Sequence, residues 1–93
     1  MLEYNHNSVD YLINPIIPRK IGDRIKVACA AQAVTPAQLQ AVLGLAAPQA
    51  IYNWYNGRSV PSLDHMAMLC QYLGISIDLI VYGDGKIGVD EKG

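Results

Sequence analysis

Two cysteines, two histidines and a run of amide and hydroxyl side chains over residues 35–62 are where this chain could do chemistry. Cys29 and Cys70 lie far apart and form no CxxC spacing, so neither a disulfide framework nor a zinc site is expected. Each falls on the apolar stripe of a predicted helix, where a thiol serves as a small buried hydrophobe. His6 and His65 stand alone, without the companions that a metal site or a catalytic dyad needs. No nucleophile–base set, carboxylate pair, phosphate loop or ligand cluster is present, so the expectation is a protein that is not an enzyme and takes no cofactor and no metal. What remains is TPAQLQAVLGLAAPQAIYNWYNGRSVPS, a stretch of groups that donate and accept hydrogen bonds.

Those groups must be held by the elements around them. Residues 1–18 show no helical period, and Asn14-Pro15 and Ile17-Pro18 interrupt any helix, so they are read as an arm. From Ile21 the pattern changes, with Ile21, Ile25, Ala28, Cys29 and Gln32 on one helical stripe. Thr35-Pro36 marks a second start, a hydroxyl cap followed by proline in the first turn. Leu39, Val42 and Leu43 are expected inward, with Gly44 as the stop. Pro48 opens a third helix carrying Ala50, Ile51 and Trp54 inside, and Gly57 closes it. Pro61-Ser62 precedes a fourth, with Leu63, Met66, Leu69, Cys70 and Leu73 at helical spacing and Gly74 at the end. Ser76 caps a fifth, with Ile77, Ile80 and Val81 apolar and Gly83 closing it. Residues 84–93, glycine-rich and charged, read as a flexible tail. The expectation is an all-α, compact five-helix bundle over residues 19–83.

A chain of 93 residues with just over half of them hydrophobic suits one small domain. There is no apolar run near membrane length and no signal-peptide pattern, so no membrane partner and a cytoplasmic location are expected. The net charge of −1 argues at first against a polyanionic partner. Its distribution is less uniform. Arg19, Lys20, Arg24, Lys26 and Arg58 against Asp23 leave residues 19–62 at +4, between acidic ends of −2 and −3.

The 35–62 stretch reads as a short helix, a glycine turn and a second helix, apolar inside and polar outside. Two helices so joined cross steeply, and the second can project into the major groove of DNA, where amides near its start reach base edges. At this point the chain resembles a family, the Cro/C1-type or XRE-like helix-turn-helix regulators, from about Arg19 to Tyr82. The resemblance rests on Ile21-Gly22-Asp23-Arg24-Ile25-Lys26, Leu43-Gly44-Leu45, Ile51 with Trp54, Asn56-Gly57-Arg58, Val60-Pro61-Ser62-Leu63 and Leu73-Gly74-Ile75-Ser76-Ile77-Asp78.

The resemblance implies a lambda-repressor-like fold and sequence-specific binding of double-stranded DNA by a transcriptional regulator, a repressor, with its recognition helix at about Pro48 to Asn56. It places Gln49 and Asn53 towards bases, both able to pair with adenine, and Tyr52 between them against a base methyl or a phosphate. It places Thr35, Asn56, Arg58 and Ser59 at phosphates. Plainer readings stand beside these: Gln49, Tyr52 and Asn53 as solvated side chains, Thr35 as a helix cap, and Asn56-Gly57 as a turn. Arg24 and Lys26 read as solvated cations, with weak phosphate steering as the alternative.

Three departures from the family pattern stand out. Pro36 replaces a frequent glutamine. The turn Leu45-Ala46-Ala47 is one residue longer than usual and lacks a hydroxyl cap. Cys29 and Tyr55 occupy positions where many relatives pair arginine with glutamate across the core. A module of this size with few basic residues implies a homodimer, through the fifth helix or the arm. The competing expectation is an antitoxin-like or other protein-interaction module, with a toxin or antirepressor as partner and DNA binding secondary.

Overall fold

The computed structural model describes residues 16–83, and within them the chain forms five α-helices. These are α1 (Pro18–Ala31), α2 (Pro36–Leu43), α3 (Gln49–Tyr55), α4 (Leu63–Leu73) and α5 (Ile77–Tyr82). The anticipated arm, apart from its last residues, and the tail over 84–93 lie outside the described residues.

Helix α1 begins three residues before the apolar stripe. Pro18 starts it instead of breaking it, because the first turn needs no amide from that position. Thr35 caps α2 through a reciprocal box. The Gln38 amide donates to Thr35 Oγ1 at 3.1 Å, and the Thr35 amide donates to Gln38 Oε1 at 2.8 Å. Ser62 and Ser76 cap α4 and α5 by accepting from the amides of His65 and Leu79. Gly44 and Gly74 end α2 and α4 in left-handed turns, each at φ 69°. The chain leaves α1 through Ala33 at φ 58°, a left-handed residue with no glycine to ease it.

The core is one cluster. Ile21, Ile25 and Cys29 of α1 meet Leu39 and Leu43 of α2, Ile51 and Trp54 of α3, Met66, Leu69, Cys70 and Leu73 of α4, and Ile80 of α5. Three residues expected inward lie outside: Val42 at 36 % exposure, Leu63 at 78 % and Ile77 at 38 %. Leu63 and Ile77 are the first residues of their helices, facing away from the neighbours that cover the next turn. Helix α2 packs chiefly on α4, with Leu39 and Leu43 buried.

Helix α1 packs on both α3 and α5, and its side chains finish the other helices. Arg24 Nη1 donates to the carbonyls of Ile80 and Val81 at 3.1 and 2.9 Å. Gln32 Nε2 donates to the Leu73 carbonyl at 2.6 Å. Arg24 is thus half-buried and committed to the end of α5, and is not the solvated cation expected from the sequence. A cation on the terminal carbonyls also opposes the negative end of the helix dipole.

Where α1 crosses α3 the backbones touch. A Cβ on Gly22 would overlap the Trp54 carbonyl oxygen and come within 3.2 Å of Tyr55 Cα. Two turns further along α1, Tyr55 and Cys29 lie within side-chain hydrogen-bonding reach. Burial raises the Tyr55 hydroxyl well above its ordinary value, and the Cys29 sulfur beside it raises it further. Burial also raises both thiols, an effect that the Tyr55 contact opposes at Cys29. The pair is thus kept neutral, and no charge is buried among the described residues.

Two outcomes follow from this packing. Gly22→Ala should cost about 3 kcal/mol by overpacking against rigid backbone, comparable to the roughly 3–5 kcal/mol lost in Trp54→Ala, both read from urea midpoints. The raised acids set a pH limit. Their neutral forms are favoured in the folded state, so the stability they contribute is intact below the ordinary thiol value of 9.0 and falls as pH rises past it. Urea midpoints measured across that range should decline, and less steeply in Tyr55→Phe; an equal decline in the variant rules out the tyrosine's share.

Candidate nucleic-acid interface

Helix α3 is seven residues long and is held by two of them. Ile51 and Trp54 are buried, and the Trp54 ring lies 6.0 Å from that of His65 on α4. Positions 49, 52, 53 and 56 then form a stripe on the opposite side, by the period of the helix. Pro48 is the residue before the helix and makes no side-chain cap bond, as expected from the missing hydroxyl. The helix starts one residue after Pro48 and is capped at its end by Asn56.

The outward stripe carries Gln49 and Tyr52, both exposed, and Asn53, half-buried. Gln49 Nε2 donates to Asn53 Oδ1 at 3.2 Å. This bond uses one amide hydrogen of Gln49 and leaves its other hydrogen and its carbonyl oxygen free. A free N–H beside a free C=O is the pair that complements the N7 and N6 edge of adenine. The bond ties the two amides together on the stripe. Tyr52 is placed by Tyr55, the two rings meeting edge to face at 6.4 Å and 89°. Its ring is therefore oriented by a residue of the α1–α3 contact.

Asn56, Arg58 and Ser59 follow directly, all exposed. The turn that presents them is tight. Gly57 has φ 74°, and the Arg58 amide donates to the Asn53 carbonyl at 2.9 Å. Thr35, at the start of α2, has its hydroxyl engaged with Gln38, so the cap reading of the sequence applies to it. The part played by the Gln38 side chain follows from the T-x-x-Q spacing of a capping box.

A groove of about 360 Å³ joins these parts, lined by Lys26, Cys29, Val34, Pro36, Tyr52 and Asn56. It brings the start of α2 next to the outer stripe of α3, with Lys26 among its lining residues. The groove does not include Gln49, Asn53, Arg58 or Ser59. Among the described residues no three His, Cys, Asp or Glu side chains gather as a metal site would require, and no helix is long and apolar enough to cross a membrane. The arrangement is one of hydrogen-bonding and cationic groups on a convex helix, suited to contact with a large polar surface.

Comparison with known proteins agrees with this geometry. The P22 c2 repressor, in a crystal structure with a synthetic operator, superposes with a TM-score of 0.64 at 25% identity, over 69% of this chain and 96% of that one. The clp gene regulator ClgR from C. glutamicum superposes with a TM-score of 0.64 at 21% identity, over 75% of this chain and 90% of its own, and shares the fold. No curated protein sequence matches the chain. A family model for the Cro/C1-type helix-turn-helix DNA-binding domain matches residues 24–84. That span covers all of α2 to α5 and the second half of α1, and the chain belongs to the Cro/C1-type helix-turn-helix DNA-binding domain family.

Proposed function

We propose that this chain is a sequence-specific, double-stranded-DNA-binding transcriptional regulator, a repressor acting as a homodimer, that lays α3 in the major groove. The observation that carries the reading is the outer stripe of α3. Gln49 and Asn53 are hydrogen-bonded to each other, and Gln49 keeps a free donor beside a free acceptor. Gln49 and Asn53 are assigned to base edges and Tyr52 to a base methyl or a phosphate. Asn56, Arg58 and Ser59 lie along the adjacent phosphates, with Thr35 at the phosphates near the start of α2. The structural likeness to a repressor crystallised on its operator supports the same use of the surface here.

A single module with so few cations binds too small a stretch of DNA for tight monomeric occupancy, which supports pairing on a two-fold site. Ile77 and Leu79, exposed on α5, are candidate contacts between the two copies.

Selection of bound duplexes from a random library at near-physiological salt should return a palindrome with half-sites about one helical turn apart. Recovery of background sequences alone overturns the reading in favour of a protein partner. Against the selected site, Gln49→Ala and Asn53→Ala should each cost roughly 1–3 kcal/mol and relax the preference at one position. An unchanged preference in both variants means that a different face of α3 reads the bases. Arg58→Ala should weaken binding to all sequences alike and lower the salt slope by about one per protomer.

A further inference from the structure

The turn after α3 does not stand free. A Cβ on Gly57 would lie 2.9 Å from Arg19 Cα and 3.1 Å from Arg19 Cβ, so the first turn of α1 rests on the turn that presents Asn56, Arg58 and Ser59. Positions 19, 22, 26 and 29 form one stripe of α1, and three independent contacts place that stripe along α3. Arg19 meets Gly57, Gly22 meets Trp54 and Tyr55, and Cys29 meets Tyr55. Arg19 therefore lies against the residue that directly precedes Arg58, although Gly57 is 38 positions away in sequence. Both are exposed, and neither makes a side-chain hydrogen bond within the described residues.

The charge there is also arranged against the helix that carries it. The first turn of α1 holds Arg19 and Lys20 and no acid, whereas α4 and α5 place Asp64 and Asp78 in theirs. Cations in a first turn oppose the dipole. A local arrangement that works against folding is most often kept for binding. Arg24, by contrast, is spent on the carbonyls of α5 and is not available to a ligand.

We infer that Arg19 is a DNA-phosphate contact, forming with Arg58 a two-guanidinium clamp on the strand that passes the end of α3. The inference rests on the DNA-binding reading and extends it from the helix-turn-helix onto α1. Gly57 acquires a second reason to be glycine: a side chain there would push the two arginines apart. The clamp reads no bases, so it acts equally on every sequence.

The test is the salt dependence of binding to a labelled mixed-sequence duplex, followed by fluorescence anisotropy, with thermal melts of each variant as the folding control. Arg19→Ala should lower the slope by about one per protomer, as Arg58→Ala does, and the double variant by about two. Arg19→Lys should keep the slope, since the charge remains. A slope unchanged in Arg19→Ala but lowered in Arg58→Ala overturns the clamp and leaves the DNA-binding reading standing. No salt-dependent binding by the unaltered protein overturns both.

Discussion

The close approach of α1 and α3 at Gly22 is the contact on which the rest of the molecule depends. With no side chain at that position, the backbone of α1 lies directly on the last turn of α3, against Trp54 and Tyr55. Helix α3 is too short to hold its own conformation in water, so its direction is set by what it packs on. The same α1 completes the ends of α4 and α5 through Gln32 and Arg24. One helix thus sets the angle of the outward stripe and also closes the elements that fill the core behind it.

Much of this was legible in the sequence because it is local. Thr35-Pro36, Gly44, Ser62, Gly74 and Ser76 each act within a few residues of chain, and each does in the structure what its type predicts. The apolar spacing identified the core residues of α1, α3 and most of α4 for the same reason. What the sequence hid is non-local. Nothing near Arg24 in the chain announces that its guanidinium ends on α5, 56 and 57 positions away. Gly22 reads as an ordinary helix residue until α3 is laid against it. Leu63 and Ile77 fit an apolar period and still face solvent, because a period gives the face of a helix and not the extent of its cover.

The outer stripe of α3 belongs partly to each group. Its existence follows from period and polarity, and the family resemblance suggested Gln49, Tyr52 and Asn53. Their mutual arrangement, an amide held by an amide and a ring held by a ring, came from the structure alone. Thr35 shows a local role that its type predicts, its hydroxyl tied into a reciprocal cap with Gln38. The exchange of a charged pair for Cys29 and Tyr55 leaves the described core free of buried charge. A short helix is thereby anchored through apolar surface and neutral hydrogen bonding, neither of which weakens greatly as ionic strength rises.

The two faces of α3 do separate jobs. Ile51 and Trp54 anchor it, and its ends are set by Pro48 and the Gly57 turn. Gln49, Tyr52 and Asn53 contribute little to that anchoring. Such a division makes the helix a cassette: its outer letters can be rewritten by drift or by design while the frame that presents them stays unaltered. Divergence between duplicated copies of a scaffold like this one would then begin at those three positions, well before the core records any change.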